Sequence, residues 1–191
     1  MIPVVDLRQD DAAARLRDAC ERLGFFTVTG HGIDERLIVE VAARSRAFFD
    51  LPVEEKARFG GPAATPGLPV YRPLRSERLG ATGDGVAAAD LKESLDWGPT
   101  LEGVAWPPGL EEPYTRYLAE LHRLARVLRG TIARALGEPD DFFEPRFDEL
   151  SSSLRVINYP DPDAPPAEGQ LRAGAHRDYG FLTILRSDDA P

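Results

Sequence analysis

The stretch that most constrains this chain is Ala173-Gly174-Ala175-His176-Arg177-Asp178-Tyr179-Gly180-Phe181-Leu182-Thr183-Ile184-Leu185. Phe181, Thr183 and Leu185 are strand formers and glycines bound the run, so it reads as extended backbone. Side chains at i and i+2 of a strand share a face. His176 and Asp178 then point together, with Arg177 turned away. An imidazole beside a carboxylate supplies two of the three ligands of a facial triad, the arrangement that holds Fe(II) and leaves positions open for other ligands. With 3 His and 17 Asp in 191 residues, chance alone supplies roughly 0.27 His-x-Asp matches. A strand histidine hydrogen-bonded to an aspartate has the same signature, so the motif gains meaning only from its surroundings.

Those surroundings are a soluble globular chain. The length fits one domain with a real core. Hydrophobic residues make up 42% and charged residues 29%, which is ordinary for such a domain. The net charge of −9 and isoelectric point near 4.9 argue against nucleic acid or an anionic membrane surface as partner. The single cysteine, Cys20, permits no internal disulfide and suits a reducing cytoplasm. It reads as a small buried residue of a helix. The start Met1-Ile2-Pro3-Val4-Val5-Asp6 carries no basic region before an apolar run, so no signal peptide is expected. No apolar run is long enough to span a bilayer.

In chain order, Ile2 to Val5 reads as a strand, and Asp10 or Asp11 as the cap of a helix burying Ala12, Leu16, Ala19 or Cys20, and Leu23. Phe25 to Thr29 reads as a second strand closed by Gly30-His31-Gly32, a tight turn that a Cβ would obstruct. Asp34 caps the next helix, with Ile33 and Ile38 spaced as a hydrophobic staple. Its stripe is Leu37, Ile38, Val41, Ala42, Ser45, Phe48 and Phe49, and Pro52 starts a further turn. Residues 60–69 read as an irregular loop. Short extended pieces follow at Val70 to Pro73 and Lys92 to Gly98, joined by a mobile connection containing Gly80 to Gly85. The longest helix, Tyr114 to Leu136, repeats apolar residues at helical spacing, with His122 on the flank of that face. Leu154 to Pro160 is a clear strand. The proline-rich run Asp161 to Glu168 is a rigid connection to the His176 stretch.

Four segments share a resemblance. The first comprises Ile2-Pro3-Val4-Val5-Asp6-Leu7, Gly24-Phe25-Phe26-Thr27-Val28-Thr29-Gly30-His31-Gly32-Ile33 and Phe48-Phe49-Asp50-Leu51-Pro52 with Glu55-Lys56. The second is Lys92-Glu93-Ser94 through Trp97-Gly98. The third is Leu154-Arg155 with Asn158-Tyr159-Pro160, and the fourth is Ala175-His176-Arg177-Asp178-Tyr179-Gly180 with Leu182-Thr183. In that order they resemble the Fe(II)- and 2-oxoglutarate-dependent oxygenases of the isopenicillin N synthase-like superfamily. The resemblance implies an α+β fold: a helical N-terminal region packed on a distorted double-stranded β-helix, or jelly roll, of which only the first part is present. It divides the chain into an N-terminal region (1–110), a long backbone helix (111–137) and the start of the roll (138–191).

The resemblance also implies a site. His176 and Asp178 are its first two iron ligands, and Tyr159 matches a tyrosine that contacts the 2-oxoglutarate carboxylate. A strand aromatic in the core is the other reading of Tyr159. His31 falls in the family's Gly-x-His-Gly-Ile turn and reads as structural, while His122, on the flank of its helix's apolar face, reads as structural or solvent-facing. The family's distal histidine and its Arg-x-Ser motif have no counterpart here, because His31, His122 and Arg75-Ser76 lie in other elements. The chain is therefore expected to be a fragment of a longer protein.

The implied activity is oxygenation of a small organic molecule, by hydroxylation, desaturation or cyclisation, with Fe(II) as cofactor and 2-oxoglutarate and O2 as co-substrates. Two rivals stand beside it: an iron oxidase of the same superfamily that does not use 2-oxoglutarate, and a catalytically silent binding or regulatory module. A metal-free carbohydrate-binding jelly roll would fit the strands but leaves the His-x-Asp motif unexplained. Neither substrate nor oligomeric state can be read from the residues.

Overall fold

The computed structural model of the protein describes residues 1–60, 70–78, 89–97, 106–147, 152–161, 165, 170–178 and 180–188. The mobile connection expected around Gly80 to Gly85 lies outside them, as do residues 61–69 of the irregular loop, most of the proline-rich run and Tyr179. Described helices and short strands make an α+β chain that divides into two units.

The first unit comprises Met1–Val39 and Thr115–Ser151. Strand β1 (Val4–Asp6) pairs in parallel with β2 (Thr27–Thr29), with Val5 opposite Val28. Parallel strands need a crossover, which helix α1 (Ala12–Arg22) provides. Val5, Ala12, Leu16 and Ala135 form its buried cluster, with Leu7, Phe26 and Ile132 against it. Asp11 occupies the N-cap of α1, but its side chain makes no cap hydrogen bond. The backbone there (φ −88°, ψ 7°) lacks the extended geometry a cap needs, and Arg15 Nε takes the carboxylate instead at 2.7 Å. Cys20 is exposed rather than buried. Ala19 holds the inward position beside it.

Gly30 (φ +68°) shows why the turn after β2 excludes a side chain: a Cβ there would collide with the Asp6 carboxylate and the Arg8 side chain. In the same turn His31 Nδ1 accepts the Ile33 N–H at 3.1 Å, and the His31 carbonyl accepts Arg123 Nη2 at 2.9 Å. Helix α2 (Glu35–Phe49) begins as expected. Asp34 Oδ1 accepts the Arg36 N–H at 2.9 Å, and the staple residues Ile33 and Ile38 are buried. Such a cap stabilises by about 1 kcal/mol.

The second unit comprises Glu40–Tyr114 and Ser152–Pro191. Val41, Ser45, Phe48 and Phe49 of α2 are buried there, while Ala42 faces outward. A one-turn helix, α3 (Val53–Lys56), follows Pro52. The unit's sheet runs β3 (Val70–Arg72), β4 (Glu93–Trp97), β5 (Leu154–Asn158), all antiparallel. Helix α4 runs over Glu111–Leu136, starting three residues before the expected Tyr114. The Tyr114 ring stacks on Trp97 at 4.6 Å between centroids. No helix among the described residues is long and apolar enough to cross a membrane.

The His176 stretch differs from expectation. No strand forms over the described residues between 170 and 188. A strand exists only with a partner to take its N–H and C=O groups, and among the described residues none pairs with it. Gly180, at φ +90°, also interrupts the extended path.

Candidate metal centre

The three-stranded sheet sets up the neighbourhood. Residues directly opposite each other share a face, so Glu93, Leu95 and Trp97 of β4 lie with Tyr71 of β3 and Val156 and Asn158 of β5. Glu93 is the charged member of this otherwise largely apolar face and is 5% exposed. Its Oε2 accepts Lys56 Nζ at 2.8 Å and the Tyr71 hydroxyl at 2.5 Å, and its Oε1 accepts Asn158 Nδ2 at 2.8 Å. Lys56, also buried, donates as well to the Phe49 carbonyl at 2.9 Å. Burial, reinforced by the hydrogen bond to Glu93, raises the Tyr71 hydroxyl well above the usual phenol range.

The opposite face is ionic. Asp96 accepts Arg72 Nε at 2.5 Å, Arg155 Nη2 at 2.8 Å and Ser94 Oγ at 3.0 Å. Glu77 pairs with Lys92 Nζ at 3.0 Å, Arg155 Nη1 at 3.1 Å and Arg72 Nε at 3.5 Å. Burial pushes the Glu77 carboxyl up, but Lys92, Arg155 and Arg72 together outweigh it and leave it lowered. Both networks escape a reading of the sequence. Lys92-Glu93-Ser94 is visible as a motif, but the partners of Glu93 stand 37, 22 and 65 positions away. The available signal is the placing of two charges among Leu91, Leu95 and Trp97, where a buried charge requires a partner.

Beyond β5 comes Tyr159, which is 38% exposed, so the reading of it as a core aromatic does not hold. Burial and the nearby Asp90 charge push its hydroxyl up, opposed by Arg155 and Arg172. It stays a neutral O–H donor at ordinary pH.

His176 and Asp178 face each other despite the missing strand. His176 Nε2 lies 3.2 Å from Asp178 Oδ1, and both side chains are partly exposed, at 38% and 53%. His176 Nδ1 lies 2.8 Å from the Gly174 carbonyl. A carbonyl only accepts, so this contact is a hydrogen bond with the proton on Nδ1. With Nδ1 turned to that carbonyl, Nε2 faces the Asp178 carboxylate oxygen, and a proton or a metal cation between the two would bridge them. Two adjacent ligands on a first-row divalent ion, with bonds of about 2.1 Å, stand roughly 3 Å apart. The pair thus fits two coordination positions of one ion. Among the described residues no group of three or more His, Cys, Asp or Glu converges. His122 lies half-buried on α4 and His31 in its turn, in the first unit rather than the second.

Comparison with known proteins gives this geometry its family. Residues 2–117 match the family described as the N-terminal region of the non-haem dioxygenase in morphine synthesis. The chain is 31% identical over 190 residues to the proline hydroxylase buaE of Petromyces alliaceus, covering 95% of this chain and 60% of that protein. Among solved structures, a full-length Neurospora crassa protein in complex with alpha-KG superposes with a TM-score of 0.75 at 25% identity, covering 94% of this chain and 61% of that one. JOX2 in complex with 2OG, Fe and JA superposes with a TM-score of 0.67 at 28% identity, covering 84% of this chain and 48% of that one. The chain spans between half and two thirds of the length of the curated relatives it matches. It belongs to the 2-oxoglutarate/Fe(II) oxygenases of the isopenicillin N synthase-like superfamily, and it matches their N-terminal part.

Proposed function

We propose that the protein is an Fe(II)- and 2-oxoglutarate-dependent oxygenase acting on a small organic molecule, with His176 and Asp178 as two of its iron ligands. The observation that carries the reading is the 3.2 Å approach of His176 Nε2 to Asp178 Oδ1 in a chain of this family. Iron bound there would couple oxidative decarboxylation of 2-oxoglutarate to removal of a hydrogen from the substrate. The chain's own groups have separate tasks. The Gly174 carbonyl keeps the His176 proton on Nδ1, which frees Nε2 to bind. Asp178 adds the negative charge that offsets the cation. Tyr159, a neutral donor at the end of β5, offers its hydroxyl to a carboxylate of 2-oxoglutarate. Residues 138–191 are read as the opening of a jelly roll. The third ligand and the arginine for the far carboxylate are assigned to sequence outside these 191 residues, in keeping with the share of the relatives that the chain spans.

The test is succinate formation from 2-oxoglutarate by the full-length protein. His176→Ala and Asp178→Ala are expected to abolish Fe(II)-dependent turnover, while His122→Ala retains it. Normal turnover by the Asp178→Ala protein would sink the ligand assignment. Substrate oxidation without succinate would replace the reading with that of a 2-oxoglutarate-independent oxidase.

A further inference from the structure

The His176 segment joins no sheet ladder among the described residues, so other contacts must aim its imidazole. Three hydrogen bonds tie the segment to residues just before β4. The Leu91 N–H donates to the Leu171 carbonyl at 3.0 Å. Gln170 Nε2 donates to the Ala89 carbonyl at 3.0 Å. The Gly174 N–H donates to Asp90 Oδ1 at 3.1 Å. The third differs in kind, because its acceptor is a side chain and its donor belongs to the residue whose carbonyl holds His176 Nδ1. Asp90 is 2% exposed, and the equally buried Lys92 lies 3.9 Å away, so a cation accompanies the buried carboxylate.

We propose that Asp90 is a positioning residue for the metal-binding imidazole, holding the Gly174 backbone so that its carbonyl keeps His176 Nδ1 protonated and Nε2 turned toward Asp178. The proposal rests on the reading of His176 and Asp178 as ligands. Glycine has the widest backbone freedom of any residue, and the Gly174 N–H and C=O belong to the two planar peptide units that meet at its Cα. Fixing the first unit leaves only rotation about the two bonds of the Gly174 Cα to set the carbonyl, and the His176 Nδ1 contact closes that remaining freedom. Groups that orient a ligating histidine through its other ring nitrogen typically carry roughly 10–100-fold in metal affinity. Asp90 does this through one intervening residue. Sequence distance hides the relation, since 84 positions separate Asp90 from Gly174.

The test uses the purified protein with Co(II) as probe, its affinity read from the visible absorption of the bound ion. The metal-free protein is examined in parallel for the ring-nitrogen shifts of His176, assigned by comparison with His176→Ala. Asp90→Ala is expected to weaken Co(II) binding roughly 10-fold or more and to move the His176 proton away from Nδ1. Asp90→Asn keeps an oxygen acceptor and is expected to retain both the affinity and the tautomer. Wild-type shifts and affinity in a folded Asp90→Ala protein would overturn the proposal. If Asp90→Ala does not fold, Asp90→Asn decides, because a folded Asn protein that has lost the Nδ1–H tautomer overturns it equally. Unchanged Co(II) binding by His176→Ala would instead overturn the underlying ligand reading, whatever Asp90 does.

Discussion

Glu93 receives hydrogens from three side chains while almost none of it meets water. A buried carboxylate is tolerated only where its lone pairs are filled and its charge is matched. Lys56 supplies the charge, with both side chains at 7% exposure or less, and Tyr71 and Asn158 fill the remaining positions. Glu93→Ala removes the acceptor and leaves a buried ammonium without its counter-charge. Breaking a buried pair from one side costs about 3–5 kcal/mol. Urea unfolding is expected to show a loss of that order. A loss below about 1 kcal/mol would mean that water or a rearranged partner takes over the role. Glu93 connects α3, β3 and β5 through single atoms, which is why no local pattern in the sequence announces it. The approach of His176 to Asp178 is what their spacing of two positions predicts, yet the strand expected to align them does not form over the described residues, and hydrogen bonds to residues 89–91 hold the segment instead.

At the level of elements, the same distinction separates what was readable from what was not. The helices α1, α2 and α4 close their hydrogen bonds within themselves, so apolar spacing places them to within a few residues, with the Asp34 cap fixing the start of α2. The stretch around His176 has strand-forming residues yet forms no strand, because a ladder depends on a partner that residues 173–185 cannot encode. The β3–β4–β5 sheet has its partners and is cross-linked on its ionic face. Arg155 stands directly opposite Asp96 in register, and both it and Arg72 also reach Glu77. For Glu77, burial raises the pKa, but the hydrogen bond from Lys92 and the charges of Arg155, Lys92 and Arg72 prevail and lower it. A carboxylate lowered in the folded state contributes stability above its unfolded pKa of about 4.3 and loses that contribution as pH falls through the folded value. The urea midpoint should therefore decline from about pH 5 downward. In Glu77→Gln the decline should be shallower, because the group no longer titrates. An identical acid slope in the two proteins would show that the cations do not hold Glu77 ionised.

For the molecule as a whole, apolar surface left in water matters as much as the surface that is buried. Leu171 is 55% exposed and Leu185 is 84% exposed, with Phe181 and Ile184 also open to solvent at 46% and 38%. Exposed apolar side chains favour association, while a net charge of −9 opposes it through mutual repulsion, a balance that added salt shifts toward association. A side chain that remains in water contributes little burial free energy, so replacing it should leave folding nearly unchanged. The protein with Leu171→Ser and Leu185→Ser is expected to unfold within about 0.5 kcal/mol of the parent chain. In sedimentation velocity at high protein concentration and moderate salt, it should associate less than the parent. Both substitutions keep the net charge, so any change in association reports the apolar surface alone. A large loss of stability would mean that these leucines are packed in solution, and the segment bearing His176 and Asp178 would then be held by apolar packing as well as by its hydrogen bonds to residues 89–91 and the Arg46–Asp188 ion pair. Equal association with unchanged stability would place the adhesive surface elsewhere on the chain.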